Sequence, residues 1–430
     1  MKPVLQVALD LVHGERALEI AADAVKGGAD WIEAGTPLIK SEGMEIVRQL
    51  KKAFPGHTIV ADMKTIDVGG PEVEIAAKSG ADIVVVLGVS SDPTITEALL
   101  SARQYGSRVM VDLFNVVDKV TRAKQVEKMG VDYICVHVGV DEQMVGGSPL
   151  SELKGLSKAV HIPIAAAGGI NSETAPGILR AGASIVIVGG AIIKAKDVAG
   201  AARKVKKAIT SGKKVKTELF KKYSEERLHE AFSKVSSPNV ADAQHKKGSM
   251  KGIHPRIKHG IKMVGRALTV HTVNGDWAKP VEAIDKAKSG DVIVVDACGG
   301  EIGVWGELAS WSCKTKGVAG VVIDGAARDI DAIIDMEFPC FSRYVTSNAG
   351  EPKGYGGIGH EIVCGGVPVR TGDWIIGDES GVVVVQQENA VEVANRALDV
   401  LERENRVREE IKKGGTLSSV LKLEKWEKVG

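Results

Sequence analysis

The first half of the chain alternates short apolar runs with longer amphipathic stretches. The runs contain few polar residues, which is typical of parallel strands buried on both faces. They recur about every 25 residues, the length of one strand and its return helix. Strands are predicted at 4–9, 30–33, 58–61, 83–87, 109–112, 133–137, 162–167 and 185–188. Eight such units within about 200 residues favour an α/β fold, a closed (β/α)8 TIM barrel, with an open doubly wound sheet as the alternative.

The second half has a different pattern, with a helix-like segment at 224–232 and a charged amphipathic helix at 390–412. Short β-like runs separated by glycines lie between these helices, at 267–273, 291–295, 320–323 and 382–385. We therefore predict a second α/β domain at 212–430, after a barrel at 1–211. The basic stretch at 203–222 is interpreted as the last barrel helix and a linker, with RNA or a membrane surface as alternative partners.

The composition argues against a nucleic-acid or membrane partner. Among 430 residues, 56 Lys and Arg balance 55 Asp and Glu, and aromatic residues make up only 4%. A net charge of +1 gives no general attraction to anionic surfaces. The N-terminus has no signal-peptide core because Asp10 and His13 interrupt it, and no apolar run is long enough to span a bilayer. With five cysteines and no CxxC pair, we expect a cytoplasmic protein with reduced, mostly buried thiols.

Ionisable residues fall at the carboxyl ends of the predicted strands, where barrel active sites lie. Asp10 follows the first strand, Glu33 lies on the second, and Asp62 and Lys64 lie at the end of the third. Packing these charges together costs free energy unless a metal or a substrate neutralises them. Glu33 and Asp62 are candidate oxygen ligands of Mg²⁺, and Lys64 is placed to stabilise an oxyanion.

Two further strand ends carry candidates with competing interpretations. His137 ends the sixth strand and has a side chain suited to proton transfer near neutral pH. The alternative is a hydrogen-bonded structural histidine. Asp112 ends the fifth strand, where a helix cap or a turn explains a lone carboxylate equally well.

Glycine pairs follow the last two strands: Gly168 and Gly169 after the seventh, and Gly189 and Gly190 after the eighth. Loops at these barrel positions commonly bind phosphate, because glycine exposes backbone N–H groups. Two pairs at matching positions indicate a phosphorylated sugar as the substrate.

Residues 1–210 resemble the 3-hexulose-6-phosphate synthases of the orotidine-phosphate-decarboxylase-like barrels. The matching stretches are LQVALDL (5–11), EAGTPLIKSEG (33–43), VADMKTID (60–67), CVHVGVDEQ (135–143) and AAAGGI (165–170). The resemblance implies reversible addition of formaldehyde to D-ribulose 5-phosphate, which gives D-arabino-hex-3-ulose 6-phosphate. It also implies that Glu33 and Asp62 hold Mg²⁺ (or Mn²⁺) near Asp10 and Lys64, that the metal stabilises an enediolate, and that His137 moves the C1 proton.

The resemblance further implies a dimer in which Asp67 reaches into the partner's site. The nearest alternative is 3-keto-L-gulonate-6-phosphate decarboxylase, which shares the same site frame. That branch typically has arginine at two positions where this chain has Val140 and Gly190. Both differences favour the synthase.

Residues 236–385 resemble the family of the regulator of ribonuclease activity A and the 4-hydroxy-4-methyl-2-oxoglutarate aldolases. The matching stretches are SSPNVADA (236–243), GRALTV (265–270), AKSGDVIVVDACG (287–299), GELAS (306–310), GVAGVVIDGAARD (317–329) and GDESGVVVV (377–385). On this resemblance, Arg328 binds an α-keto-acid carboxylate, Asp329 ligates the metal, and Glu307 orients a metal-bound water. The backbone N–H near Leu308 receives the carbonyl oxygen.

Alternatives remain for the second domain. Arg328 and Asp329 form only a structural ion pair if the domain serves assembly, and a third hypothesis is regulation of a ribonuclease. The glycine-rich segment 344–361 is predicted to be a mobile loop over the site. The two resemblances imply a dimer through the barrel and a trimer through the second domain, which together could close as a D₃ hexamer.

Overall fold

The computed structural model describes residues 2–421 and residue 423. The chain divides into two compact units, one spanning Met1–Lys222 with Glu402–Gly430 and the other spanning Tyr223–Leu401. Each unit has its own apolar core, so each is described separately.

Eight parallel strands close into a barrel in the first unit, because the first strand, Val4–Leu9, pairs with both the second, Trp31–Ala34, and the eighth, Ile185–Val188. The predicted TIM barrel is therefore confirmed, and the open sheet is wrong. The strands are β1 Val4–Leu9, β2 Trp31–Ala34, β3 Thr58–Thr65, β4 Ile83–Leu87, β5 Arg108–Asp112, β6 Tyr133–His137, β7 Ile164–Ala167 and β8 Ile185–Val188.

Helices surround this barrel, and one large apolar core fills the layer between helices and strands. Local signals fix the helix ends. In the fifth helix, Asp92–Tyr105, Ser91 caps the start by accepting the Thr94 N–H, and Gly106 ends the helix in the left-handed region. The helices are α1 Gly14–Lys26, α2 Thr36–Glu42, α3 Glu45–Ala53, α4 Gly69–Lys78, α5 Asp92–Tyr105, α6 Lys119–Met129, α7 Val140–Met144, α8 Leu150–Leu156, α9 Ala175–Arg180, α10 Gly190–Ile193 and α11 Val198–Ser211.

The second unit is built mainly on one mixed sheet. Its strands are β9 His254–Arg256, β10 Met263–His271, β11 Asp291–Asp296, β12 Gly303–Trp305, β13 Gly320–Ala327, β14 Cys340–Val345, β15 Gly357–Ile358, β16 Ile362–Cys364, β17 Val367–Val369, β18 Trp374–Asp378 and β19 Gly381–Val385. The order in the sheet is β19-β18-β10-β11-β13-β14-β9, with β12 beside β13 and β15 beside β10. Strands β16 and β17 form a separate pair.

The helices of the second half are α12 Leu228–Lys234, α13 Ser237–Ala243, α14 Ala278–Lys286, α15 Glu307–Lys316, α16 Ile330–Asp335, α17 Ala390–Lys412 and α18 Leu417–Leu421. Helix α17 has the predicted bounds. The helix expected at 224–232 is instead a 3₁₀ turn, Glu225–Arg227, followed by α12.

Among the described residues, no helix is both long enough and apolar enough to cross a membrane. Four of the five cysteines are buried, and only Cys298 is exposed.

Candidate active sites

The carboxyl ends of the barrel strands bring most of the predicted catalytic residues to one mouth. The Lys64 ammonium lies 3.0 Å from Asp62 Oδ2 and 3.3 Å from Asp112 Oδ2. The irregular backbone of β3 accompanies this position of Lys64, because the register of β3 against β4 shifts between Ala61 and Thr65, the segment that contains Lys64. Lys64 itself adopts a positive φ of 48°, an unfavourable conformation that is often found at functional sites.

Three carboxylates of the mouth influence one another. Glu33 is buried, and the Gln6 amide donates a 2.5 Å hydrogen bond to its Oε2. Burial, followed by the Asp62 and Asp10 charges, raises the pKa of Glu33 well above its usual range. Asp10 reaches solvent but is surrounded by the walls of the mouth, so desolvation and then the Asp62 charge raise its pKa as well. This acidic, oxygen-rich group is suited to a hard divalent cation.

Asp112 connects Lys64 to His137. Its Oδ2 lies 2.9 Å from His137 Nδ1 and its Oδ1 accepts the Phe114 N–H at 3.0 Å. Burial alone would raise the pKa of Asp112, but the His137 hydrogen bond and charge and then Lys64 hold it below its usual value. The interpretation of Asp112 as only a cap or turn is therefore incomplete, since the carboxylate also bridges two ionisable groups.

The charge of Lys64 is secured by the same contacts. Burial alone would lower the pKa of its ammonium, but the Asp62 and Asp112 carboxylates raise that pKa above its usual value. A lysine held in this way stays cationic at neutral pH, as an oxyanion-stabilising group requires.

Asp67 stands apart from this cluster. It is exposed in the loop after β3, and its Oδ1 accepts the N–H of the next residue, Val68, at 2.8 Å. Its neighbours Ile66 and Val68 are large apolar residues that are more than half exposed.

The glycine pairs border the mouth. Gly168 and Gly169 have φ values of 109° and 65°, conformations that few other residues adopt. A Cβ at Gly189 would lie 3.2 Å from Asp10 Oδ2, so the β8 loop passes close to the carboxylates. Gly190 begins α10 directly after this loop.

The second unit gathers its predicted residues around one cavity of 570 Å³. Glu307, Leu308, Arg328 and Asp329 all line it. Asp329 Oδ2 accepts the Glu307 N–H at 3.2 Å and lies 3.3 Å from Arg328 Nε. A Cβ at Gly306 would lie 2.6 Å from that same oxygen, so a larger residue there would displace the Asp329 carboxylate.

The exposure of the Arg328–Asp329 pair bears on its role. The two side chains are 43% and 38% exposed, and an exposed ion pair adds little to stability. A purely structural role for the pair is therefore a weak explanation. Leu308 is 83% exposed at the cavity, as the second residue of α15.

Part of segment 344–361 lies at this cavity, through Ala349 and Gly350. The Trp277 indole N–H donates to the Gly350 carbonyl at 3.0 Å. Asp276 accepts the N–H groups of Lys353 and Tyr355 at 2.9 and 2.8 Å, which ties the loop to the residues before α14. The segment is not all loop, since it begins within β14 and contains β15.

Comparison with known proteins matches each half of the chain to a family. Residues 3–205 match the family described as orotidine 5'-phosphate decarboxylase / HUMPS. The 3-hexulose-6-phosphate synthase of Mycobacterium gastri is 42% identical over 205 residues, which cover 48% of this chain and 99% of that protein. The chain belongs to the 3-hexulose-6-phosphate synthase family. The matched residues include every predicted site residue of the barrel.

Two solved structures resemble the barrel half of this family member. A crystal structure of a 3-hexulose-6-phosphate synthase is 43% identical and covers 48% of this chain and 99% of its own, with a TM-score of 0.46. A crystal structure of KGPDC from Streptococcus mutans is 28% identical and covers 49% of this chain and 99% of its own, with a TM-score of 0.45.

Residues 237–384 match the RraA-like family, described as Aldolase/RraA, and carry an RraA-like domain.

Proposed function

We propose that the barrel unit catalyses the reversible addition of formaldehyde to D-ribulose 5-phosphate, forming D-arabino-hex-3-ulose 6-phosphate. The observation that carries this proposal is the Lys64–Asp112–His137 chain beside the carboxylates of the mouth. Asp112 can only accept, so His137 Nδ1 keeps its proton and Nε2 is left with the lone pair. His137 Nε2 takes the C1 proton, the Lys64 ammonium stabilises the substrate oxyanion, and C1 forms the new bond to formaldehyde. The proton then passes from His137 to the formaldehyde oxygen.

The donor set of the mouth fits a hard divalent cation. Glu33 and Asp62 are the residues that would hold Mg²⁺ or Mn²⁺, with Asp10 beside them. Burial and then the repulsion between neighbouring carboxylates raise the pKa values of Glu33 and Asp10. A bound cation would offset this repulsion, which supports the assignment. When bound, the cation supplies a Lewis acid for the substrate oxygens.

The experiment is an assay of the full-length protein with D-ribulose 5-phosphate and formaldehyde, with added Mg²⁺ or with a chelator. We expect hexulose phosphate to form with the metal and to be lost with the chelator. Decarboxylation of 3-keto-L-gulonate 6-phosphate, assayed in parallel, tests the alternative. Decarboxylation without aldol addition would overturn the proposal.

The exposed position of Asp67 supports a shared site in a dimer. We expect Asp67→Ala to lower kcat/KM roughly tenfold or more, because a group that positions substrate from the partner is lost. The measurement is synthase activity together with the solution mass of the variant. Normal activity in a verified monomer would contradict the shared site.

For the second unit, we propose metal-assisted carbon–carbon cleavage of an α-keto acid. The cavity supports this, since it collects a guanidinium and two carboxylates around a space of substrate size. Arg328 would bind the keto-acid carboxylate, and Asp329 and Glu307 would hold Mg²⁺ and its water. A non-catalytic assembly role and regulation of a ribonuclease remain as alternatives.

Arg328→Ala is the test of this second activity. The assay follows pyruvate release from hydroxy-keto acids, and oxaloacetate decarboxylation, in the full-length protein. We expect Arg328→Ala to cut turnover roughly 100-fold or more, because a bidentate charged contact is lost. Absence of both reactions in the unmodified protein, with capture of a ribonuclease, would favour the regulatory alternative.

The quaternary structure is a further part of the proposal. A barrel dimer and a trimer of the second domain together predict a D₃ hexamer. Light scattering of the purified protein should give six times the chain mass, and a monomer mass would refute the assembly.

A further inference from the structure

The linker after α11 follows the loop that leaves β7. The Val215 N–H donates to the Ser172 carbonyl at 3.1 Å, and the Ser172 hydroxyl donates to the Val215 carbonyl at 2.7 Å. Two residues later, the Thr217 N–H donates to Glu173 Oε1 at 2.9 Å. The linker is therefore fixed along the barrel's seventh loop rather than only solvated.

At Phe220 the linker contacts a glycine of the mouth, Gly190. Its backbone has a positive φ of 55°, and the Asn171 amide donates to its carbonyl at 3.3 Å. Its ring lies against Gly190 so closely that any Cβ at that position would clash with it. A long side chain such as arginine is excluded at Gly190 while Phe220 keeps this place.

Two ammonium groups contact the Phe220 ring. Lys222, from the linker, lies 4.5 Å from the ring centroid, and Lys194, just after α10, lies 5.4 Å from it. Cation–π attraction holds such groups in place. The charge of Lys194 also acts on Asp10, lowering the pKa that desolvation raises, so Lys194 lies near the carboxylates of the mouth.

We propose that Lys194 and Lys222, ordered by Phe220, bind the phosphate of the sugar substrate. The inference rests on the proposed barrel function and adds a residue of the interdomain linker to its site. Two cations at the glycine loops attract a dianion, and they do so where Gly190 leaves no side chain to make that contact.

The test measures binding and turnover in the full-length protein. We expect Lys222→Ala to weaken calorimetric binding of D-ribulose 5-phosphate and to raise KM roughly tenfold, with kcat changed less than about threefold. Lys222→Arg should retain most of the affinity. Lys216→Ala, at an exposed position of the same linker, is the matched control.

Unchanged binding and KM in both Lys222→Ala and Lys194→Ala would overturn the proposal. That result differs from failure of the barrel function, in which the unmodified protein itself forms no hexulose phosphate.

A separate cluster in the second unit carries an independent inference. His271 ends β10 and Asp296 ends β11, and the two are register partners in the parallel sheet. His271 Nδ1 lies 3.1 Å from Asp296 Oδ2. Cys298 follows with a positive φ of 54°, and its N–H donates to Asp296 Oδ1 at 2.9 Å. Ligand atoms of the three side chains lie within 4.8 Å of one another.

We infer that His271, Asp296 and Cys298 form a site for a thiophilic divalent cation such as Zn²⁺. A surface ion pair accounts for His271 and Asp296, and the Cys298 thiol beside them makes only a long contact of 3.5 Å to the Thr272 carbonyl among the described residues. Imidazole, carboxylate and thiolate together favour Zn²⁺ over the Mg²⁺ of an all-oxygen site. Three protein ligands also leave a coordination position for water or a ligand.

Cobalt(II) is the probe for this site, since its thiolate complexes absorb in the near ultraviolet. We expect metal-free, full-length protein to bind Co²⁺ with a thiolate band that Zn²⁺ abolishes. Cys298→Ser and His271→Ala should lose the band, whereas Asp329→Asn and Asp62→Asn should keep it. Circular dichroism checks that each variant is folded. Absence of the band in the unmodified protein, or its persistence in folded Cys298→Ser, would refute the site.

Discussion

Asp62→Ala is expected to abolish hexulose phosphate formation, with kcat lowered roughly 1,000-fold or more. Asp62 is buried, accepts the Thr36 hydroxyl at 2.8 Å and contacts the Lys64 ammonium at 3.0 Å. Its removal deletes a proposed oxygen ligand and a partner of the catalytic cation at once. Loss of several kcal/mol of transition-state stabilisation corresponds to such a factor.

The measurement is the initial rate of aldol addition across a titration of Mg²⁺. Excess metal should not restore Asp62→Ala, because the donor oxygen itself is missing. Asp23→Ala is the matched control. Asp23 lies on the outer helix α1, and its carboxylate forms an ion pair with Lys26 on the same helix. Full activity of Asp62→Ala would refute the assignment of the mouth.

The apolar pattern predicted the barrel well because its strands are buried on both faces. Four strands, including β4 and β6, have the predicted bounds, and the others differ by one to four residues. The apolar pattern did not predict the short strands of the second unit. Strands of two or three residues, such as β12 and β15, are too short to show any periodicity.

The candidate residues at the mouth could be selected from the sequence because strand ends of a barrel converge. The contacts between their side chains could not be predicted from the sequence. Asp112 precedes a turn and accepts the Phe114 N–H, as a capping residue does. The local sequence therefore does not show that the same carboxylate also contacts His137. Phe220 gave no signal at all, because tertiary folding alone brings the linker to Gly190.

Asp112→Asn separates the two interpretations of that carboxylate. Asparagine caps turns and helices about as well as aspartate, so a residue needed only for the turn should tolerate the change. A bridge to His137 should not tolerate it, because an amide can donate as well as accept and no longer fixes the histidine tautomer. We expect kcat to fall by roughly 10²–10⁴, the usual contribution of a general base, with a smaller change in KM.

Exchange of the C1 proton of D-ribulose 5-phosphate in D₂O, without formaldehyde, isolates the step assigned to His137. Asp112→Asn should lose this exchange and aldol addition together, because both need the same base. Asp118→Asn is the matched control: Asp118 caps α6 by accepting the Thr121 N–H at 3.0 Å. If Asp112→Asn exchanges the proton as fast as this control does, then Asp112 does not prepare His137 for proton transfer, and the carboxylate only shapes the turn after β5.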